Sequence, residues 1–246
     1  MPDPSFDLAE HLKHEHRISP FTTYLKEIVY GGTDGIITTF AVVAGFVGSQ
    51  QQSIGNLPAL TVLLFGFANL FADGVSMALG NFLSSRSEAD VYRFEKSKEL
   101  HEIRTNPRSE REESISILKR EGFTEDQSKT LIDIYATNES YWTNFMMRFE
   151  LDLPNPEGQN AFLMSFATFI SFTIFGLMPL IPYLLLRQNP DVFFISIATT
   201  AGSLIFLGLL RYKLATTHWI RPILETLLLG GIAAFVAYWV GTLFRT

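Results

Sequence analysis

The 246-residue sequence contains no cysteine. That excludes disulfide frameworks, thiolate metal sites and iron–sulfur clusters. Charge is scarce as well: 18% of the side chains are Asp, Glu, Lys or Arg, against about 25% in ordinary soluble domains. The distribution says more than the average, because residues 35–72, 158–186, 192–210 and 226–244 carry no charged side chain at all. There is no basic excess either. A net charge of −6 argues against a nucleic-acid partner, whose phosphates reward a basic patch, and it suits cations. Five histidines are too few for a His-rich metal store. Residues Met1 to Glu27 lack the apolar core of a secretory signal, so no cleavable leader is expected.

What the chain does hold is 47% apolar and 13% aromatic side chains, with the charge gathered in one place: 16 acids and 11 bases lie between Arg86 and Glu157. This partition predicts a membrane domain with a water-soluble insert. A bilayer core takes roughly 20 apolar residues as helix, and five runs qualify: Ile28–Gln50, Pro58–Ser84, Ala161–Leu186, Asp191–Leu210 and Ile223–Phe244. A large buried core is the alternative, but cores rarely supply four charge-free stretches of 19 residues or more. The expected fold is therefore all-α, a polytopic membrane protein with five transmembrane helices. Its parts are an N-terminal segment (1–27), the first two spans (28–84), a three-helix insert (85–158) and the last three spans (159–246). With the N-terminus in the cytosol, and the long insert discounted, the inner segments hold six basic residues (Lys13, Arg17, Lys26, Arg211, Lys213, Arg221) against Arg187 and Arg245 outside. The excess of Lys and Arg on the cytosolic side makes the N-terminus and the insert cytoplasmic. Gly74/Ala78 and Ala41/Gly45 have the small-residue spacing of close helix packing in lipid.

Start and stop signals divide the insert. The second span continues without a breaker to Arg104, and Asn106-Pro107 ends it. Ser109 with Glu112 reads as a capping box opening a short helix that closes at Gly122, and Thr124 with Gln127 as another. The latter opens a longer helix, ending before Pro154, with Leu131, Tyr135, Trp142, Phe145 and Phe149 on its packed face. Its acids are ordered: Glu88, Glu95, Glu99 and Glu102 fall within about 60° of helical arc, Glu110 and Glu113 lie one turn apart, and Met146, Met147 and Glu150 share neighbouring faces. Two readings stay open. The stripe is a solvated face balanced by Lys96, Lys98, Arg104 and Arg108 with the methionines as core filler, or mixed oxygen and thioether donors hold a borderline divalent metal such as Fe²⁺.

Two acids interrupt the apolar runs, at a cost of roughly 2.5–3.5 kcal/mol each even on lenient insertion scales. Asp34 sits near the inner end of the first span, with Glu27 two turns before it, and Asp73 in the second has Met77 one turn away. Glu27, Asp34 and Met77 read as a cation pathway, with Asp73 a secondary candidate that could instead bond a neighbouring helix. Glu225, four residues after Arg221, reads as an interfacial ion-pair partner.

These residues also carry a resemblance. Asp34-Gly-Ile-Ile-Thr-Thr-Phe-Ala-Val-Val-Ala-Gly, Ala72-Asp-Gly-Val-Ser-Met-Ala-Leu-Gly80, Ser87-Glu-Ala-Asp and Phe145-Met-Met-Arg-Phe-Glu150 resemble the vacuolar iron transporter family, with its yeast vacuolar and plant nodulin-like members. The resemblance covers roughly residues 24–244. It implies a homodimer that exports Fe²⁺, and Mn²⁺ in some members, from the cytosol in exchange for protons, with no prosthetic group; Co²⁺ and Zn²⁺ are further ions such ligands accept. It places metal ligands in the insert at Glu99, Glu102, Glu110, Glu113, Met146, Met147 and Glu150, and the pathway at Glu27, Asp34 and Met77. Asn69 and Thr23 stand where some members have acids, which bears on proton coupling. The short N-terminus without a targeting segment, rather than the resemblance, favours a prokaryotic plasma membrane, with a vacuolar membrane second. The rival readings are a proton-independent metal channel, a metal sensor, and a membrane-tethered di-iron oxidase. The oxidase is an enzyme reading disfavoured because the Glu-x-x-His pairs of such sites are missing around His101.

Overall fold

The computed structural model describes residues 20–50, 57–212 and 219–244. The basic residues Lys13, Arg17, Lys213 and Arg245, and the polar turn at 51–56, lie outside them. Among the described residues every regular element is a helix: α1 (Pro20–Thr23), α2 (Leu25–Ser49), α3 (Leu57–Thr105), α4 (Pro107–Arg120), α5 (Glu125–Tyr135), α6 (Glu139–Phe149), α7 (Ala161–Gly176), α8 (Ile181–Leu185), α9 (Val192–Tyr212) and α10 (Ile220–Leu243). They form two compact units, Met1–Phe82 with Phe162–Thr246, and Leu83–Ala161; α3 contributes to both.

In the first unit α2, α3, α9 and α10 are each long and apolar enough to cross a membrane. The run 161–186, expected as one span, is broken into α7 and the short α8. Pro179 and Pro182 account for the break, since each removes a backbone donor and crowds the preceding turn. The Pro179 carbonyl accepts a 2.7 Å hydrogen bond from Ser196 Oγ on α9. Where no water is at hand, a freed backbone group needs such an internal partner.

The small residues of α2 explain how tightly this unit closes. A Cβ on Gly31 or Gly35 would overlap the Thr168 or Phe172 carbonyl of α7, and Gly48 and Gly241 make equally close backbone contacts between α2 and α10. Helices in lipid gain their association from such approach. Ser171 Oγ adds a 2.6 Å bond to the Ile28 carbonyl, and Asn81 Nδ2 a 2.9 Å bond to Thr168 Oγ1. Ile36, Val43, Leu70 and Phe172 are fully buried between these helices, whereas Leu64, Phe65, Leu228 and Phe235 face outward, as a lipid-facing surface requires. Gly35→Leu must therefore push α2 off α7. We expect a loss on the order of 3 kcal/mol or more, read as collapse of the monodisperse peak in size-exclusion chromatography. Gly80→Ala, where nothing lies within 4 Å of the added carbon, is the matched control and leaves the peak intact.

The second unit departs from a three-helix reading. The helix opened at Thr124 is two helices, α5 and α6, separated at Ala136–Asn138, with Asn138 Oδ1 accepting from the Tyr141 N–H to restart the chain. The Thr124–Gln127 capping box is present in both directions. The one expected at Ser109 is not: α4 begins at Pro107, a residue suited to the first helical position because its missing N–H is unpaired there anyway. Gly122, at φ +101°, ends α4 in a left-handed conformation while the Phe123 N–H bonds the Leu118 carbonyl. The core is Ile103, Ile117, Leu118, Ile132, Trp142, Phe145 and Met146. Phe149 is 43% exposed: it is the last residue of α6, and its ring lies against Phe145, at 5.0 Å between centroids, at the edge of that core.

Candidate metal centre and membrane carboxylates

Three helices of the second unit each deliver a carboxylate to one point. Glu99 on α3, Glu110 on α4 and Glu150 at the end of α6 bring one oxygen apiece to within 4.8 Å of one another. Glu99 and Glu110 are only 4% and 5% exposed, and each keeps a buried oxygen with no hydrogen-bond partner. Burial first, then the charges of Glu150 and Glu110, push Glu99 up to about 8; a protonated Glu99 donates to Glu110. Glu110 is raised by burial and by Glu113, and Glu150 by burial, Glu113 and Glu102, with Lys98 opposing. All five glutamates thus share one electrostatic field, and holding them together without a proton or a cation is unfavourable.

The bases that could have balanced this stripe are used elsewhere. Lys96 pairs with Glu157 at 3.8 Å, Lys98 with Glu95 at 3.8 Å, Arg104 with Glu139 at 2.8 Å and Arg108 with Glu112 at 3.5 Å. Among the described residues no ion pair reaches Glu99, Glu102, Glu110, Glu113 or Glu150. Glu88 and Glu95, on the same arc in sequence, lie apart from the cluster: Glu88 accepts from Ser84 Oγ at 3.3 Å and Glu95 is taken by Lys98. Met146 and Met147 are both buried on α6. Met146, one turn before Glu150, packs in the apolar core while its sulfur accepts a 3.1 Å hydrogen bond from Ser114 Oγ.

In the membrane unit Glu27 is buried at the start of α2, with Oε2 unpartnered. Asp34 is half-buried two turns on. It lines a cavity of about 990 Å³ together with Lys26, Tyr30, Thr33, Arg211, Arg221 and Glu225, among others. Asp73 on α3 is near enough to interact electrostatically with Asp34, and Asn69 Nδ2 donates to Asp73 Oδ2 at 2.7 Å. Met77, one turn beyond Asp73, packs against the apolar core of α2 and α3. Glu225 pairs with Arg221 at 3.0 Å, as its spacing predicts, and also with Arg211 of α9 at 3.2 Å. The two arginines on this cavity are therefore engaged with Glu225 rather than with Asp34. The sequence reading missed the Asn69–Asp73 and Arg211–Glu225 contacts. The first had a legible signal, an amide four residues before an acid on one helix.

Acids therefore converge in the second unit, and others lie on helices long and apolar enough to cross a membrane. A family model described as the VIT family matches residues 25–242. The chain belongs to the VIT family. Among its relatives is "Vacuolar iron transporter 1" of Oryza sativa subsp. japonica, 30% identical over 232 residues, spanning 94% of this chain and 90% of the rice protein. "Vacuolar iron transporter 1" of Arabidopsis thaliana is 31% identical over 214 residues, 87% of this chain and 83% of that one. "Vacuolar iron transporter" of Plasmodium berghei (strain Anka) is 32% identical over 243 residues, 95% and 87% of the two chains. These VIT-family relatives are named as transporters, a function other than catalysis. The family membership and the apolar helices together make this chain an integral membrane protein and not an enzyme.

Proposed function

We propose that this chain exports Fe²⁺, with Mn²⁺ as a second substrate, from the cytosol in exchange for protons. It works as a homodimer of five-span subunits with the N-terminus and the 85–158 insert in the cytosol. The observation that carries the reading is the convergence of Glu99, Glu110 and Glu150 within 4.8 Å with no base paired to them among the described residues, since such a site is relieved by a divalent cation. Glu102 and Glu113 add negative potential, which raises the local concentration of a scarce ion. Met146 and Met147 supply thioethers that favour Fe²⁺ over harder ions.

From the cluster the ion passes Glu27 to Asp34 and Met77, where a second copy of α2 duplicates the ligands. Protons arriving from the far side compete for the same carboxylates and release the metal, because a carboxylate ligates only when deprotonated. Asp73, hydrogen-bonded by Asn69 and within electrostatic reach of Asp34, takes part in that exchange; it supplies an acid one turn from where some family members carry theirs. The alternative is a channel indifferent to protons, which the amide at Asn69 favours.

Proteoliposomes loaded with a pH-sensitive dye and given anaerobic Fe²⁺ decide between them. We expect iron flux that rises with an imposed proton gradient and proton movement in the opposite direction. Flux that ignores the gradient establishes the channel, and tight binding without flux returns the protein to a sensor.

A further inference from the structure

Ser114 is completely buried one turn after Glu110 on α4. Its hydroxyl donates to Met146 Sδ at 3.1 Å and accepts from the Trp142 indole N–H at 2.8 Å. Other hydroxyls of the same unit behave differently. Thr105, Ser116, Ser128, Thr130 and Thr143 each donate to the carbonyl four residues back, the usual recourse of Ser and Thr within helices. Ser114 gives its proton to a thioether, a weaker acceptor. The indole fixes the hydroxyl, the hydroxyl fixes the sulfur, and the relay joins α4 to α6 one turn from Glu110 and one turn from Glu150.

Methionine has three rotatable side-chain bonds and settles readily into several shapes. As a metal ligand it is of use only when its sulfur is held, and partners behind a ligand commonly perform that task. A sulfur with one lone pair engaged by Ser114 has one left to offer, in a fixed direction.

We infer that Ser114, held by Trp142, is a positioning residue that fixes the Met146 thioether as a soft donor beside Glu99, Glu110 and Glu150, and so sets the preference of the cluster for borderline ions over hard ones. The inference rests on the reading of that cluster as a cation site. Carboxylates alone bind Mn²⁺ well, whereas a thioether adds affinity for Fe²⁺ and its air-stable substitute Co²⁺. Removing the hydroxyl therefore changes the ratio of the two affinities rather than their sum.

The test is calorimetric titration of the full chain in detergent with Co²⁺ and, separately, Mn²⁺. Ser114→Ala is expected to lower the Co²⁺-to-Mn²⁺ affinity ratio roughly tenfold. Met146→Leu, which keeps the core volume, lowers it at least as far, and the double variant goes no lower than Met146→Leu alone, because the two residues act through one sulfur. Equal weakening of both ions by Ser114→Ala, or a further fall in the Met146→Leu background, overturns the inference and makes Ser114 a brace between helices. Should Ser114→Ala not fold, Trp142→Phe removes the indole donor and must shift the ratio in the same direction; an unchanged ratio rejects the relay. Wild-type protein that binds neither ion defeats the cation-site reading itself. A Met146→Leu ratio equal to wild type, with both ions still bound, defeats only the inference drawn here.

Discussion

Asp34→Ala is expected to abolish Fe²⁺ flux in proteoliposomes, by at least about 100-fold, while Co²⁺ still binds to the glutamate cluster with wild-type affinity. An acid on an apolar helix persists only where it has work or a partner. Among the described residues Asp34 has no ion pair: Arg211 and Arg221, which line the same cavity, are joined to Glu225 instead. Its electrostatic neighbour is another acid, Asp73, so two carboxylates face the same region of the membrane unit, an arrangement that gains from a cation or a shared proton. The cluster lies in the other compact unit, which is why binding there should survive the substitution. Asp73→Asn should cost less, about tenfold, since Asp34 remains to ligate and Asn69 can still hydrogen-bond the new amide. Flux within twofold of wild type for Asp34→Ala removes this residue from the pathway. Loss of flux together with loss of Co²⁺ binding attributes the effect to misfolding.

The glutamate cluster supports an expectation in which stability and affinity move in opposite directions. Glu99 holds its proton up to about 8 in the folded protein, against an ordinary 4.5. Between those values the native state binds more protons than the unfolded chain, and stability falls as pH rises wherever that holds. Metal-free protein should accordingly melt at a higher temperature at pH 6 than at pH 8.5. Metal binding has the opposite slope: the cation displaces the proton, so apparent affinity climbs with pH to about 8 and each binding event releases protons. Glu99→Gln with Glu110→Gln removes both the repulsion and the ligands. The double variant should lose about 100-fold or more in Co²⁺ affinity, yet melt higher than wild type at pH 8.5 and show a flattened dependence on pH. Thermal melts with and without Co²⁺, and titrations in two buffers of different ionisation enthalpy, measure each quantity. Metal-free stability that rises with pH defeats the account of the cluster as mutually repelling carboxylates.

The membrane helices were legible in the sequence because the cause is local. A bilayer demands some 20 apolar residues in succession, and the charge-free runs coincide with α2, the first part of α3, α9 and α10. The Thr124 capping box was legible for the same reason: all its atoms lie within four residues. The broken third run and the split between α5 and α6 were misjudged by hydropathy and periodicity, though Pro179 and Pro182 stood in plain sight as the cause of the first. Phe149 failed for another reason: it shares the phase of the buried Trp142 and Phe145 but stands at the last residue of α6 and is exposed, a difference that periodicity does not see.

The site divides along the same line. From helical phase alone, Glu88, Glu95, Glu99 and Glu102 are equivalent members of one stripe. The family resemblance singled out Glu99 and Glu102, and with them Glu110, Glu113 and Glu150, but it could not say why. Only the packing of α4 and α6 against the end of α3 decides that Glu99 meets Glu110 and Glu150, whereas Glu95 meets Lys98 within one turn of its own helix. The tertiary structure likewise sends Lys96 to Glu157 and Arg104 to Glu139, and it turns the Ser114 hydroxyl onto a sulfur 32 residues away in the chain. Sequence by itself determined that this chain is helical, enters a membrane and carries acids where they are costly, because hydropathy and helical period act over a few turns. Which acids share a field, and which proton one of them retains, was decided by tertiary structure, because electrostatic energy depends on distance and burial and takes no account of position along the chain.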